Sequence, residues 1–159
     1  QKALKVTPHV VVVTGEIHDL IRQELVDLPI FLIQNVHWHD GMASSIVAGL
    51  DEILRFNSEL SDVIITVCDQ PFVSFEVFQG LINASASSGI VASSYGNTMG
   101  TPALFNKRYF AELLRLKGNE GAKRLMMQNQ DDLSLVAFPL GNVDIDTEED
   151  YRRLSSGEV

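Results

Sequence analysis

Asp62-Val63-Ile64-Ile65-Thr66-Val67-Cys68-Asp69-Gln70-Pro71 decides the fold. A continuous apolar, β-branched run closed by a turn is the pattern of a strand buried on both faces, as in a parallel sheet. The run predicts a strand over 62–68, with Cys68 as a core residue and Asp69-Gln70-Pro71 as the turn that ends it. Upstream, Gly41 opens a helix whose Met42, Ile46, Leu50, Ile53 and Leu54 fall at steps of three and four. Earlier still, Ile30–Ile33 and Val10–Val13 read as short strands. Between them Ile17, Leu20, Ile21 and Leu25 are spaced as the inward face of a helix.

Downstream, Ser74 is a good N-cap for a helix that turns Phe75, Phe78, Leu81 and Ile82 inward. Gly89–Ser93 is strand-like, and the turn-rich stretch Tyr95–Pro102 returns into Ala103-Leu104-Phe105. Arg108–Leu116 and Ala122–Gln128 have helical spacing, Leu133–Phe138 reads as a strand, and Glu148–Leu154 as a closing helix. Strands alternating with helices at this spacing predict one three-layer α/β domain over 1–159 with a mainly parallel sheet. Gln1–Val6 reads as the end of a helix, so further sequence is expected upstream of Gln1.

Composition narrows the function. The chain has 159 residues, 45% of them hydrophobic and 21% charged, with a mean hydropathy of +0.09; it can build a core and is not a disordered polymer. Apolar runs stay far below the roughly 20 residues a spanning helix needs, so no membrane partner is expected. Twelve Lys and Arg against 21 Asp and Glu give a net charge of −9, which repels nucleic-acid backbones at long range. A single cysteine excludes internal disulfides and, with no secretory leader pattern at Gln1, fits a reducing, cytoplasmic compartment. No Gly-x-Gly-x-x-Gly, Walker or Gly-x-Ser-x-Gly motif occurs, which removes dinucleotide oxidoreductases, P-loop ATPases and α/β-hydrolases.

Ligands of open α/β sheets bind beyond the carboxyl ends of strands. Asp69 falls there, and a carboxylate just past a rigid strand can hold a hard cation such as Mg²⁺. Position alone fits equally a residue that only caps the turn. Asp144-Ile145-Asp146 places two more carboxylates on one side of the backbone. The helix that follows offers the plainer reading, with Asp146 or Thr147 as cap and Glu148, Glu149 and Asp150 favouring its positive end. Gly41-Met42-Ala43-Ser44-Ser45 opens a helix where free N–H groups and small side chains can meet an anion or a base. His37-Trp38-His39-Asp40 has metal-ligand residue types but no third ligand, and reads as an exposed loop.

In order along the chain stand Val11-Val12-Val13-Thr14-Gly15, Gly41–Ile46, Asp69-Gln70-Pro71-Phe72-Val73, Gly100-Thr101-Pro102-Ala103-Leu104-Phe105, Gly118-Asn119-Glu120-Gly121-Ala122-Lys123 and Asp144–Asp150. Together they resemble the MobA-like nucleotidyltransferases, and within them the molybdenum cofactor cytidylyltransferases (MocA-like). The resemblance implies a Rossmann-like nucleotidyltransferase fold. It also implies transfer of a nucleoside monophosphate, CMP from CTP or GMP from GTP, onto the phosphate of a molybdopterin-type acceptor, with release of pyrophosphate. On this resemblance Asp69 and Asp146 hold Mg²⁺, with Asp144 beside them. Gly15, Gly41, Ser44 and Ser45 line the nucleotide, and Gly100, Thr101, Pro102, Asn119, Glu120, Gly121 and Lys123 face the acceptor.

The family's signature loop, L-A-A-G-x-S-x-R-x-G-x-x-K, carries the triphosphate and a catalytic lysine. It should precede Gln1, and Lys2, Lys5 and Lys123 stand in no comparable loop. The catalytic Arg and Lys therefore have no counterpart among these residues, and residues 1–159 alone are expected to turn over poorly. The alternative of another class is an accessory protein that binds the cofactor and delivers it to a molybdenum hydroxylase without catalysis.

Overall fold

A computed structural model describes residues 1–157. The strands are β1 (Val11–Thr14), β2 (Phe31–Gln34), β3 (Asp62–Ile65), β4 (Ile90–Tyr95), β5 (Thr98–Asn106) and β6 (Leu133–Ala137). The helices are α1 (His18–Glu24), α2 (Met42–Phe56), α3 (Phe75–Ala84), α4 (Phe110–Leu113), α5 (Lys123–Gln128) and α6 (Glu148–Ser156). β1 and β2 form a parallel pair; the other four strands form a sheet in the order β3-β5-β4-β6. β4 and β6 are parallel, and β5 runs antiparallel to both β3 and β4.

The reversed direction of β5 follows from its connection. β4 ends at Tyr95, β5 starts opposite it at Thr98, and Gly96 supplies the positive φ of +54° that a two-residue hairpin loop uses. Such a loop can only return the chain antiparallel.

The alternation of side chains along the central strands produces the layers. Ile90, Ala92, Ala103 and Phe105 face α2, α4 and α5 and share one core with Leu50, Ile53, Leu113 and Met126. Val91 and Leu104, the intervening positions, face the other way onto Leu81 of α3. A third cluster joins Val77 and Phe78 of α3 to Phe138 beyond β6. Helices thus cover both faces of the sheet, the α/β architecture the sequence predicts, but the sheet is mixed and not mainly parallel: β5 pairs antiparallel with both of its neighbours.

Several local expectations are corrected. β3 ends at Ile65, not at residue 68: Ile65 pairs with Ala103, and the next partner, Pro102, has no N–H to offer a ladder. Cys68 consequently lies outside the strand and is exposed, not a core residue. Ile17 and Leu20 are 56% and 63% exposed, and Met42, Phe75 and Ile82 are also open to solvent. Ser74 caps α3 as predicted, accepting from the Val77 N–H.

Candidate functional site

Beyond the carboxyl ends of β1 and β2 two loops meet. Gly15 lies against Trp38, with space so tight that a Cβ would sit 3.0 Å from the indole. Trp38 stacks in turn on His39 with ring centroids 3.7 Å apart. His37 lies 3.8 Å from Asp40 on the surface, so this loop is a packed turn. Thr14 is 5% exposed; its hydroxyl donates to the Ile33 carbonyl at 3.0 Å and lies 2.6 Å from His18 Nδ1.

Asn35, 5% exposed at the end of β2, organises the two serines. Its amide donates to Ser44 Oγ at 2.8 Å and to Ser45 Oγ at 3.1 Å, while its carbonyl accepts from the His37 N–H. The two serines are not equivalent. Ser44 has its single proton directed at the Gly41 and His37 carbonyls, 2.8 and 2.9 Å away. Ser45 accepts from Asn35, and no described acceptor takes its proton. Ser45 is the hydroxyl whose proton is uncommitted among the described residues.

Gly41 has φ +97° and lies where a Cβ would overlap the Gly118 carbonyl and the Asn119 side chain, so both backbone and space require glycine. The Gly118 carbonyl accepts from the Ala43 N–H at 3.1 Å, and Gly121 rests on the Met42 sulfur. The segments expected to face nucleotide and acceptor are therefore packed on each other. Glu120 is engaged internally, accepting from the Lys117 N–H and pairing with Arg124. Lys123 donates to Thr98 Oγ1 at 2.7 Å, tying α5 to the β4–β5 hairpin. Gly100 lies under the Tyr95 hydroxyl. Pro102 is fully buried, its carbonyl accepting from Ser93 at 2.7 Å, which takes its side chain away from any acceptor.

Asp69 follows β3, and two hydrogen bonds bring the distant segment 141–146 to it. The Ile145 N–H donates to the Asp69 carbonyl at 2.9 Å, and Gln70 Nε2 donates to the Gly141 carbonyl at 2.6 Å. Asp144 and Asp146 thereby join Asp69. Desolvation, then the charge on Asp69, then that on Asp146, raise the Asp144 carboxyl above its ordinary range. Thr147, not Asp146, caps α6, in a reciprocal capping box with Asp150, so Asp146 is released from that role. Tyr95 stands beside the group. Burial pushes its phenol up, the N–H end of the Gln70 amide beside it opposes that, and the charges on Asp144 and Asp69 push it further.

Among the described residues no Lys or Arg pairs with Asp69, Asp144 or Asp146, and Asp69 Oδ1 is buried without a partner. No group of three described His, Cys, Asp or Glu side chains could by itself hold a metal ion. An orphaned carboxylate oxygen in a set of hard oxygens fits a cation that takes one or two protein carboxylates and completes its shell from phosphates and water, as Mg²⁺ does. Between this group and the serines lie the contacts of Tyr95 with Gly100, Thr98 with Lys123, Gly121 with Met42 and Gly118 with Gly41, joined by short lengths of chain.

The sequence reading missed Asn35, Gln70 and Tyr95. Asn35 and Gln70 are buried polar residues whose partners lie elsewhere in the chain, and only Gln70 was marked, by its place between Asp69 and Pro71.

A family model described as the MobA-like NTP transferase domain matches residues 1–133, ending before Asp144 and Asp146. The chain is similar to Rv0371c of Mycobacterium tuberculosis H37Rv, with TM-score 0.73 and 23% identity over 93% of this chain and 76% of that one. A manganese complex of the same protein matches with TM-score 0.72 and 22% identity over 92% and 77%. It is similar to the 4-diphosphocytidyl-2C-methyl-D-erythritol synthase of Anaerococcus prevotii, with TM-score 0.76 and 16% identity over 98% and 84%. A further likeness is to molybdopterin-guanine dinucleotide biosynthesis protein A of Archaeoglobus fulgidus, with TM-score 0.54 and 17% identity over 94% and 79%. At these identities the likeness is one of fold. No curated protein matches the chain significantly.

Proposed function

The chain belongs to the MobA-like NTP transferase family, and on that footing we propose that it transfers CMP from CTP to the phosphate of a molybdopterin-type acceptor in the cytoplasm. The observation that carries the reading is the uncompensated carboxylate group, Asp69, Asp144 and Asp146, together with a serine hydroxyl at the start of α2 whose proton no described residue takes.

In the proposed reaction an acceptor phosphate oxygen bonds to the α-phosphorus. The bond from that phosphorus to the bridging oxygen breaks, and pyrophosphate leaves with the electron pair. Ser45 donates its proton to a nucleotide oxygen, and Asn35 keeps the hydroxyl aimed. Tyr95, held protonated by its surroundings, offers a neutral donor among the carboxylates. Lys123, already held by Thr98, places a positive charge beside the acceptor-side hairpin. Asp69 and Asp146, with Asp144 beside them, supply the oxygens for a divalent cation, which when bound neutralises the two anionic reactants. The manganese complex of a protein of the same fold supports a divalent-cation reading.

Two observations support cytidine: the spellings Asp69-Gln70-Pro71 and Gly41-Met42-Ala43-Ser44-Ser45, and the likeness to a diphosphocytidyl synthase. GTP is the second reading, supported by the likeness to a molybdopterin-guanine dinucleotide protein, which also supports the acceptor class. Calorimetric titration with CTP, GTP, ATP and UTP, with and without Mg²⁺, on a protein that carries the triphosphate loop expected upstream of Gln1, tests both. Selective Mg²⁺-dependent binding of CTP is the expected result, and selective GTP binding changes the product while keeping the chemistry. Failure to bind any triphosphate overturns the transferase reading in favour of a cofactor carrier for a molybdenum hydroxylase.

A further inference from the structure

Gln70 is 7% exposed, a rare degree of burial for a glutamine, and its two polar atoms are treated differently. Nε2 donates to the Gly141 carbonyl at 2.6 Å, across 71 positions of sequence. That partner fixes the orientation of the amide, because the reverse orientation sets two oxygens face to face. Oε1 is left buried with no donor among the described residues, and so is Asp69 Oδ1 on the preceding residue. Buried acceptors are normally satisfied, so two orphans on consecutive residues mark a place where donors or a cation arrive from outside the chain.

The Nε2 end works with a second bond. Ile145 N–H to the Asp69 carbonyl, at 2.9 Å, and Gln70 to Gly141 hold the segment 141–146 at two points against the turn after β3. Gly141 is locked from its other side as well, because a Cβ there would overlap the rings of Tyr95 and Phe138.

We propose that Gln70 is the positioning residue of the cation site: its Nε2 fixes the segment that carries Asp144 and Asp146 to Asp69, and its Oε1 accepts a proton from a hydration water of the cation. A cation that keeps several of its waters needs such outer acceptors to hold it in register, as ligands bound directly need their own second partners. The inference rests on the cation reading of Asp69, Asp144 and Asp146.

The test follows the Gln70 side-chain amide and the Ile145 backbone amide by NMR while Mg²⁺ is added to the wild-type chain, then measures Mn²⁺ affinity and amide exchange in Gln70→Met. The expected result is that the Gln70 amide signals shift, and Ile145 exchange slows, in step with saturation. In Gln70→Met, Mn²⁺ binds about tenfold more weakly and Ile145 exchanges about tenfold faster, while amides of β5 keep their protection. Wild-type protein that binds the cation with its Gln70 signals unmoved overturns the proposal, as does Gln70→Met with unchanged affinity. If the variant does not fold, the wild-type titration decides alone. Wild-type protein that binds neither ion overturns the cation reading itself, before any substitution is made, and this proposal with it.

Discussion

A single aspartate and a set of three sit at opposite edges of the same sheet, in opposite surroundings. At the edge where β4 and β6 begin, Asp132 is surrounded by donors: the Gly89 N–H at 3.0 Å, the Tyr109 hydroxyl at 2.5 Å and the Arg108 guanidinium. The Tyr109 hydrogen bond, then that from Gly89, hold its carboxyl below the usual range, with Arg108 adding to them. At the edge where β3, β4 and β6 end, Asp144 has no cationic partner and is pushed the other way, by desolvation and by the charges on Asp69 and Asp146. The chain gathers donors around Asp132 and places none of its described Lys or Arg against Asp69, Asp144 or Asp146. Strained electrostatics at the carboxyl edge of a sheet mark a site; satisfied electrostatics at the other edge mark a joint.

The comparison breaks most visibly at Asp69. Asp69→Asn removes a charge from the group without disturbing the Ile145 hydrogen bond, which uses the backbone carbonyl. Mg²⁺-dependent nucleotide affinity should fall by about a hundredfold, the upper range for loss of one hydrogen-bonded charge, with the melting temperature unchanged or raised. Calorimetry and a thermal melt read the two quantities separately. A variant that melts early and binds normally would put Asp69 among the joints.

Asp132→Ala should do the reverse. It leaves the Gly89 N–H, the Tyr109 hydroxyl and Arg108 without their common acceptor, at a cost of about 1–3 kcal/mol in urea unfolding, with nucleotide binding intact after correction for the folded fraction. The pH dependence has a definite sign. Because the folded-state carboxyl lies below its unfolded value, the stabilisation is present above the unfolded value and is lost as pH falls through the lowered one. Wild type should therefore lose its advantage over Asp132→Ala on acidification, which urea melts from neutral to strongly acidic pH will show.

The serines extend the same contrast to neighbouring residues. Ser44 spends its proton on the chain and Ser45 does not. Ser45→Ala should weaken nucleotide binding about five- to tenfold at little cost in stability, from the worth of one hydrogen bond of about 1 kcal/mol. Ser44→Ala should do the opposite. Equal effects on binding would mean that Asn35 presents both hydroxyls to the ligand.

The set of three was legible in the sequence only in part. Asp69, Asp144 and Asp146 were legible because each stands at a strand end or beside a helix start, positions that local pattern defines. Their convergence was not, because it depends on Gln70 and Gly141, 71 positions apart. The same limit hid Asn35, whose hydrogen bonds to the serines need β2 and α2 placed first. The antiparallel β5 ran against the mainly parallel sheet expected, although the Gly96 turn that forces it is a local signal. The inward face expected for α1 failed because periodicity reports which residues share a side, not whether anything covers that side: Ile17 and Leu20 share one and are exposed. Cys68 was misplaced because an apolar run shows no mark where the pairing partner changes from Ala103 to Pro102.

Asp144→Asn gives the smallest effect and the sharpest sign. With its folded carboxyl raised above the unfolded value, ionised Asp144 works against folding, so its contribution worsens as pH rises through the interval between the two. The residue is exposed, and solvent limits the effect to about 0.5 kcal/mol or less. Asp144→Asn should accordingly be slightly more stable than wild type at neutral pH and equal to it in acid, the mirror image of Asp132→Ala. Added Mg²⁺ should stabilise wild type by the same relief and do less for Asp144→Asn. Comparison with Asp146→Asn then assigns the second ligand: the variant that loses more Mg²⁺-dependent stabilisation has lost the oxygen that touches the ion. Matched small losses in both would show that neither does, and that Asp69 with ligand oxygens is sufficient.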